Sequence, residues 1–150
     1  REYPLGVDVE KIDARRGSRG IAERYFAAPE LDHLKGFDGE EYLRWFFRIW
    51  TLKETYIKAR GLGLTLPLND FFFSFHGSDP GRLESREIEI GFTENLDDDP
   101  DRWQFEGLSP TPDHYLSVAI ERGANPDLKI EARDAGPFLC EAAKPSDRSR

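Results

Sequence analysis

Residues 38–61 read DGEEYLRWFFRIWTLKETYIKARG, and this stretch decides the fold because it predicts one long helix. Asp38 with Glu41 three residues later predicts a capping box, and Gly61 can take the left-handed conformation that ends a helix. Apolar side chains recur between these ends at helical spacings, giving a stripe that should face the core of a small sheet. The members of this stripe are Leu43, Phe46, Phe47, Trp50 and Ile57.

Charged side chains interrupt the apolar stripe near its end. Lys53, Glu54 and Lys58 lie among aromatic and aliphatic neighbours, and removing an uncompensated charge from water costs several kcal/mol. A Glu and a Lys four residues apart also form an ordinary exposed ion pair, which contributes only about 0.3 to 0.5 kcal/mol. A metal ion or a phosphate is a second kind of partner, because it would offset the cost of burial.

A second group of carboxylates lies near the start of the chain. Gly6-Val7-Asp8-Val9-Glu10 alternates as a strand does, with the valines on one face and Asp8 and Glu10 on the other. A strand with one solvated acidic face explains this pattern by itself. Combined with Glu54 and the lysines, however, the three carboxylates suit Mg²⁺, which takes oxygen ligands and keeps positions for phosphate oxygens. The spacing alone does not show that the strand and the helix meet.

The remaining periodicities predict an α+β domain. One strand, then helices, then several strands indicate an antiparallel sheet packed against the long helix and shorter helices. Short helices are predicted over 21–28 and 29–35, and strands over 5–10, 71–75, 87–92, 103–108 and 115–121. The domain is expected to span 1–122. Residues 123–150 are expected to form a partly ordered C-terminal extension, in which Leu128–Ile130 or Phe138–Leu139 can dock.

Composition limits the classes of function. The 150 residues fit one domain with a sizeable core, since 38% are hydrophobic and 13% aromatic. A net charge of -8 argues against general nucleic-acid binding, which relies on clustered Lys and Arg. Cys140 is the only cysteine, and no apolar stretch approaches the ~20 residues that span a bilayer. We therefore expect a cytoplasmic protein without nucleic-acid or membrane partners.

Other polar residues are weaker candidates. His33, His76 and His114 lack the short spacings typical of zinc sites, which favours surface or structural roles. Asp97–Asp99 and Asp101 allow a calcium-stabilised binding module as one hypothesis. They lack the glycine and the final Glu of an EF-hand loop, so a solvated acidic turn is preferred.

The two charged motifs together resemble the paired signature of the 4′-phosphopantetheinyl transferases of the surfactin-synthetase-activating (Sfp) type. The first motif is Gly6–Glu10 and the second is Trp50–Lys58. The run Gly61–Leu68 and the strand Tyr115–Ile120 are also similar to that family, so the resemblance covers about residues 5–122.

The resemblance implies Mg²⁺-dependent transfer of the phosphopantetheine arm of coenzyme A to a serine of an acyl or peptidyl carrier protein, releasing adenosine 3′,5′-bisphosphate. It implies that Asp8, Glu10 and Glu54 bind Mg²⁺ on the pyrophosphate. Glu54 is then the candidate base, which would remove the proton of the carrier serine through a water molecule. Lys58 would stabilise charge on the pyrophosphate and help the leaving group, with Lys53 as a further phosphate contact. The alternative is a non-catalytic interaction or dimerisation domain in which the same charges form a buried ion network.

The chain resembles only the C-terminal half of such a pseudo-twofold enzyme. The first half in that family supplies basic residues for the coenzyme A 3′-phosphate and a Ser-His strand near the adenine, and nothing before Arg1 supplies either. We expect a piece of a longer protein, rather than a chain that pairs with a second copy of itself. Exposed apolar surface is then expected where the other half packs. Thr55 stands where the family pattern has Ser or Ala.

An enzyme with a net charge of -8 needs a local basic patch to meet an acidic carrier protein. The candidates for this patch are Arg15, Arg16, Arg19 and Arg24.

Overall fold

The computed structural model describes residues 3–133. Its helices and strands follow the order predicted from the sequence, with boundaries that differ by a few residues. The helices are α1 (Arg19–Tyr25), α2 (Ala28–Leu34) and α3 (Gly39–Arg60). The strands are β1 (Leu5–Lys11), β2 (Phe71–Phe75), β3 (Ile88–Phe92), β4 (Trp103–Thr111) and β5 (His114–Glu121). Phe138–Leu139, one of the segments expected to dock, lies outside the described residues.

The strands form two antiparallel sheets, so the predicted α+β class is confirmed. The larger sheet has the order β1-β5-β4, which places the first and last strands side by side. The smaller sheet consists of β2 and β3 alone. Sequence reasoning did not divide the strands in this way, because periodicity identifies strands and not their partners.

The long helix α3 lies between the two sheets and forms the centre of the core. Its 22 residues end at Gly61, whose φ of 67° confirms the predicted left-handed stop. The predicted capping box at its start is wrong. The Asp38 side chain makes no cap hydrogen bond and instead accepts one from Arg19 Nη2 at 2.9 Å. Gly39 has a φ of 57°, so the chain turns sharply just where the box would form.

Aromatic side chains of α3 pack against both sheets. Tyr56 contacts Phe71 of the smaller sheet and Trp103 of the larger one, with ring centroids 4.8 and 5.1 Å apart. The predicted apolar stripe is largely buried, with Phe46 and Phe47 each only 1% exposed. Burial continues around the helix beyond this stripe, and it includes several polar side chains. These are Arg48, Thr51, Lys53 and Thr55.

Strand β1 turns its acidic face inward and its apolar face outward. Asp8 is 7% exposed, whereas Val7 and Val9 are 43% and 53% exposed. The expectation of a solvated acidic face is therefore wrong for Asp8. Gly6 explains the reversal, because it lies on the same face as Asp8 and directly against the backbone of α3.

The segment after β5 crosses the outer face of the larger sheet. Leu128 pairs its backbone N–H and C=O with the Gln104 side chain, both at 2.7 Å. Ile130 borders a cleft with Val7, Leu116 and Val118 of the same outer face.

Within the part of the chain that the structure describes, no helix has the length and apolarity needed to cross a membrane.

Candidate active site

Lys58 and Asp8 bring the long helix and the first strand together. The Lys58 Nζ atom donates to Asp8 Oδ1 at 2.7 Å and to the Val7 carbonyl oxygen at 3.3 Å. Glu54 lies one turn before Lys58 on the same face of α3. The two charged motifs of the sequence therefore meet in space.

Gly6 permits this close approach. A Cβ atom at Gly6 would lie 2.1 Å from the Thr55 carbonyl oxygen and 2.7 Å from the Ala59 nitrogen. Both distances are too short for any side chain, so only glycine lets β1 rest on the α3 backbone. This contact lies two residues from Asp8, and it sets the distance between the acidic strand and the charged turn of the helix.

Asp8 combines an ion pair with an unpartnered oxygen. Its Oδ2 atom is buried and has no hydrogen-bond partner among residues 3–133. Burial raises the pKa of Asp8, although the hydrogen bond and the positive charge of Lys58 act in the opposite direction. A buried carboxylate oxygen without a donor is suited to bind a cation.

Glu54 is half-buried and has no side-chain hydrogen bond or ion pair within the described residues. The simple expectation of a Glu54–Lys58 ion pair is not met, because Lys58 contacts Asp8 instead. Burial raises the pKa of Glu54, and the negative charges of Asp8 and Glu10 raise it further, while Lys58 lowers it. Glu54 is therefore close enough to the strand carboxylates to be repelled by them.

Glu10 is paired with a residue that follows its strand. Arg16 Nη2 lies 3.1 Å from Glu10 Oε2, and Glu10 remains half-buried. The Arg16 side chain is itself largely exposed, so this pair is open to solvent and contributes little to stability. The Glu10 carboxylate is therefore available to another positive partner.

The acidic side chains fit a hard divalent cation in chemistry but are not arranged around one. Within residues 3–133, no group of three or more His, Cys, Asp or Glu side chains is already gathered as a metal-binding cluster. The donors that suit Mg²⁺ are nevertheless present, since Asp8 Oδ2 is unpartnered and Glu54 is unpaired in this part of the chain. Burial is the main cause that raises the pKa values of Asp8 and Glu54, so their charged forms are disfavoured and a cation beside them would stabilise those forms.

Two grooves adjoin this group of charges. A groove of about 290 Å³ borders Glu54 and is lined by Arg24, Tyr25 and the segment from Leu66 to Asn69. A larger groove of about 570 Å³ shares Arg24 and Tyr25 and is also lined by Arg15 and Arg16. The charged turn of α3 therefore opens onto a surface with both basic and aromatic side chains.

Comparison with known proteins identifies the family of the chain. A family model described as the 4′-phosphopantetheinyl transferase superfamily matches residues 4–119. The chain belongs to this superfamily. The match includes both charged motifs and every helix and strand of the structure except the last two residues of β5.

Curated members of the phosphopantetheinyl transferase superfamily match shorter parts of the chain. The 4′-phosphopantetheinyl transferase ffp of Bacillus subtilis is 41% identical over 73 residues, which are 49% of the chain and 32% of that relative. Sfp of Bacillus subtilis strain 168 is 38% identical, with the same coverage. The L-aminoadipate-semialdehyde dehydrogenase-phosphopantetheinyl transferase of Xenopus laevis is 31% identical over 123 residues, 77% of the chain and 39% of the relative. The chain thus spans about a third of the length of these relatives.

Lys53, expected as a phosphate contact in such a transferase, is buried in the protein and paired with Glu30. Its side chain is 1% exposed and its Nζ lies 2.9 Å from Glu30 Oε2. Nζ also donates to the backbone carbonyl of Phe71 at 2.6 Å. Because the ammonium group is buried and fully paired, it has no open side toward a phosphate. Sequence reasoning missed Glu30 as its partner, since nothing in the spacing links residues that are so far apart in the chain.

The helical spacing of Tyr25 and Phe26 predicts core positions for both residues, outside the transferase site. The neighbouring Phe26 is indeed buried, at 3% exposure. Tyr25 is only half-buried, and its ring meets that of Trp50 edge-on at 6.0 Å. It lines both grooves, whereas Arg19 donates to the Phe37 carbonyl and to Asp38 and lines neither.

The weaker candidates have local partners. His33 packs against Trp45 with ring centroids 4.4 Å apart, and His76 Nε2 lies 3.2 Å from Glu89. The expected solvated acidic turn is wrong for Asp98, whose side chain is fully buried. It accepts hydrogen bonds from Tyr56, Arg60 and Trp103. Asp98 therefore has a structural role at the end of α3.

Proposed function

We propose that the protein containing this chain transfers the 4′-phosphopantetheine arm of coenzyme A to a serine of an acyl or peptidyl carrier protein. The observation that carries the proposal is the meeting of Lys58 with Asp8, beside Glu54, in a chain of the phosphopantetheinyl transferase superfamily. The carrier serine oxygen forms a bond to the phosphorus that bears the pantetheine arm. The bridging bond of the pyrophosphate breaks, and adenosine 3′,5′-bisphosphate leaves.

Each side chain has a role that matches its surroundings. Glu54, through a water molecule, would accept the proton of the carrier serine, and its raised pKa makes it a better base near neutral pH. Lys58 is half exposed, so its ammonium can reach a pyrophosphate oxygen and stabilise charge on the leaving group. Lys53 is not included in the proposed site, because its ammonium is enclosed by Glu30 and backbone carbonyls.

Asp8, Glu10 and Glu54 would hold Mg²⁺ in the assembled enzyme. Bound there, the ion would neutralise negative charge on the pyrophosphate oxygens of coenzyme A. The support for this assignment is the unpartnered Oδ2 of Asp8 and the surroundings of Glu54, whose pKa is raised first by burial and then by the charges of Asp8 and Glu10. The chain's own contribution is the contact of Lys58 with Asp8, with Glu54 one turn earlier on the helix and Glu10 two residues later on the strand.

The grooves beside Glu54 suit an acidic carrier protein. Arg15, Arg16 and Arg24 line the larger groove, which shares Arg24 and Tyr25 with the groove that borders Glu54. They supply a local positive surface on a chain of net charge -8. Arg19 is left out of this patch because it lines neither groove and instead binds Asp38 and the Phe37 carbonyl. A carrier docked here would present its serine near Glu54.

The rest of the cofactor site is expected on another protein surface. The chain spans about a third of its curated relatives, and Leu5, Val7 and Val9 expose an apolar strip along β1. We infer that the other half of a longer polypeptide covers this strip, with a second copy of the chain as the alternative. That surface would supply the groups for the coenzyme A 3′-phosphate and adenine.

Intact mass spectrometry of the carrier tests the proposed function. The full-length protein, coenzyme A and Mg²⁺ should add one phosphopantetheine to an apo carrier protein. A carrier whose acceptor serine is replaced by alanine, and a reaction with a metal chelator, serve as controls and should show no gain. The absence of any gain across several acyl and peptidyl carriers would contradict the transferase proposal.

The buried ion pair of Lys53 and Glu30 favours one alternative function. A non-catalytic interaction domain with a buried ion network would contain such a pair, at 2.9 Å and almost without exposure. That network lies on the side of α3 facing α2 and β2, away from Asp8. It therefore explains Lys53 but gives no reason for the charges at Glu54 and Lys58.

A further inference from the structure

Four buried polar side chains join α3 to β5 inside the core. Arg48, Thr51 and Thr55 lie along one face of α3 and all bind Ser117 of β5. Together they form what we call the Ser117 cluster. Each of the four residues is 0% exposed.

The bonds of the Ser117 cluster are directional. Arg48 Nη1 donates to Ser117 Oγ at 3.0 Å, and Thr51 Oγ1 lies 2.8 Å from the same oxygen. Thr55 Oγ1 donates to the Ser117 carbonyl oxygen at 3.1 Å. Apolar contacts between a helix and a sheet tolerate small displacements, whereas a satisfied polar network specifies one arrangement. Sliding α3 by a single residue, about 1.5 Å, would break these bonds.

The Ser117 cluster lies directly behind the candidate active site. Ser117 is the residue opposite Asp8 in the antiparallel pairing of β1 and β5. Thr55 follows Glu54 in the chain and precedes Lys58 by three residues. The carbonyl oxygen of Thr55 also rests against Gly6 of β1. Thr55 therefore contacts both β1 and β5, close to the point where Lys58 binds Asp8.

We propose that Thr55 and Ser117 are positioning residues, which fix the register of α3 on the sheet so that Glu54 and Lys58 stay opposite Asp8. This inference rests on the proposed function for its catalytic consequence, but the register itself is a property of the fold. Both ends of the Thr55 side chain have a place in this arrangement. Its hydroxyl reaches Ser117, and its methyl group fills the core.

Thr55→Val tests the proposal, because it keeps the shape and removes the hydroxyl. Thr55→Ser restores the hydroxyl and is the conservative rescue. Thr93→Val is the matched control, since the Thr93 hydroxyl is also partly buried and binds Asp70, away from the site. In the full-length protein, Thr55→Val should lower kcat at least about tenfold with little change in KM for coenzyme A. Thr55→Ser and Thr93→Val should stay within about twofold of the parent.

A second measurement does not depend on activity. A water-soluble carbodiimide couples a lysine to a contacting carboxylate, so Lys58 and Asp8 should be joined in the parent protein. Asp32 of α2 and Lys35, which directly follows this helix, are 3.0 Å apart and provide an internal reference. Thr55→Val should reduce the Lys58–Asp8 yield several-fold relative to this reference, and Thr55→Ser should not.

The two measurements separate the possible failures. A protein without transferase activity whose Lys58–Asp8 coupling falls in Thr55→Val would refute the proposed function and support the positioning role. Unchanged coupling and unchanged kcat in a folded Thr55→Val variant would overturn the positioning role. If Thr55→Val does not fold, Ser117→Ala replaces it, because it removes the hydroxyl shared by Arg48 and Thr51 and should give the same two losses.

Discussion

At the scale of single residues, Glu54 has surroundings that are unfavourable to its charge. Burial and the neighbouring carboxylates of Asp8 and Glu10 raise its pKa, and Lys58 compensates only in part. A raised carboxyl pKa means that the folded state binds the proton more tightly than the unfolded state. The contribution of Glu54 to stability is therefore largest below its ordinary pKa and is lost as the pH rises through the raised value.

Glu54→Gln should lower the rate of transfer without lowering the stability of the fold. The amide keeps the size of the side chain but cannot accept a proton or ligate a cation well, so transfer should fall at least about a hundredfold. At pH 7 the variant should be as stable as the parent or more stable, because it removes a disfavoured charge. Transfer rates by intact mass and urea unfolding at pH 7 measure the two effects.

The exposed Glu40 on the same helix gives the matched control, and Glu40→Gln should alter neither property. Parent-like transfer by Glu54→Gln would contradict its role as a base. A loss of more than about 2 kcal/mol in the free energy of unfolding would instead favour the buried ion network.

At the scale of elements, α3 is held at its C-terminal end by the Asp98 cluster, which consists of Tyr56, Arg60, Asp98 and Trp103. Asp98 Oδ2 accepts from Tyr56 at 2.5 Å, from Arg60 at 2.6 Å and from Trp103 at 2.9 Å. Burial by itself would raise the pKa of Asp98, but these hydrogen bonds outweigh it and the pKa is lowered. The loop before β4 is thereby joined to the helix that carries the candidate site.

Asp98→Asn should destabilise the fold by about 2 to 4 kcal/mol at pH 7, because it leaves Arg60 without its buried carboxylate. Since the folded pKa of Asp98 is lowered, its contribution is present above the unfolded value near 4 and is lost as the pH falls through the folded value. The difference between parent and variant should therefore shrink between pH 7 and pH 3. Urea titrations at both pH values measure it, with exposed Asp97→Asn as the control. A difference that does not depend on pH would show that the Asp98 charge is not responsible.

The elements themselves were largely predictable from the sequence, and their contacts were not. β2 and the end of α3 match the predicted boundaries, because the run of strand-favouring phenylalanines and Gly61 both act locally. Alternation in β1 identifies two faces but does not say which one is buried. Gly6 decides this through a contact with Thr55 that only the folded chain makes. The burial of Lys53 was not predictable for a similar reason, since its partner Glu30 comes from another helix.

At the scale of the whole molecule, the apolar strip on β1 is the main feature that the described residues leave uncovered. Leu5, Val7 and Val9 are between 43% and 56% exposed, although their strand belongs to a sheet whose other face is the core. The segment around Leu128 and Ile130 binds Gln104 of β4 and borders a cleft with Val7, but it leaves this strip largely exposed. An uncovered apolar strip beside a candidate cofactor site favours contact with another protein surface.

Val9→Lys in the full-length protein should reveal whether this strip is covered. If the other half packs on it, burying a lysine there should lower the free energy of unfolding by more than about 2 kcal/mol. Leu62→Lys is the matched control, because Leu62 is 46% exposed at the end of α3 and lies outside the strip, so its substitution should cost less than about 0.5 kcal/mol. Denaturant unfolding measures both variants, and sedimentation shows whether a second copy is the covering surface. Equal and negligible costs for the two variants would mean that the strip faces solvent, and the coenzyme A site would then have to be completed from another side of the molecule.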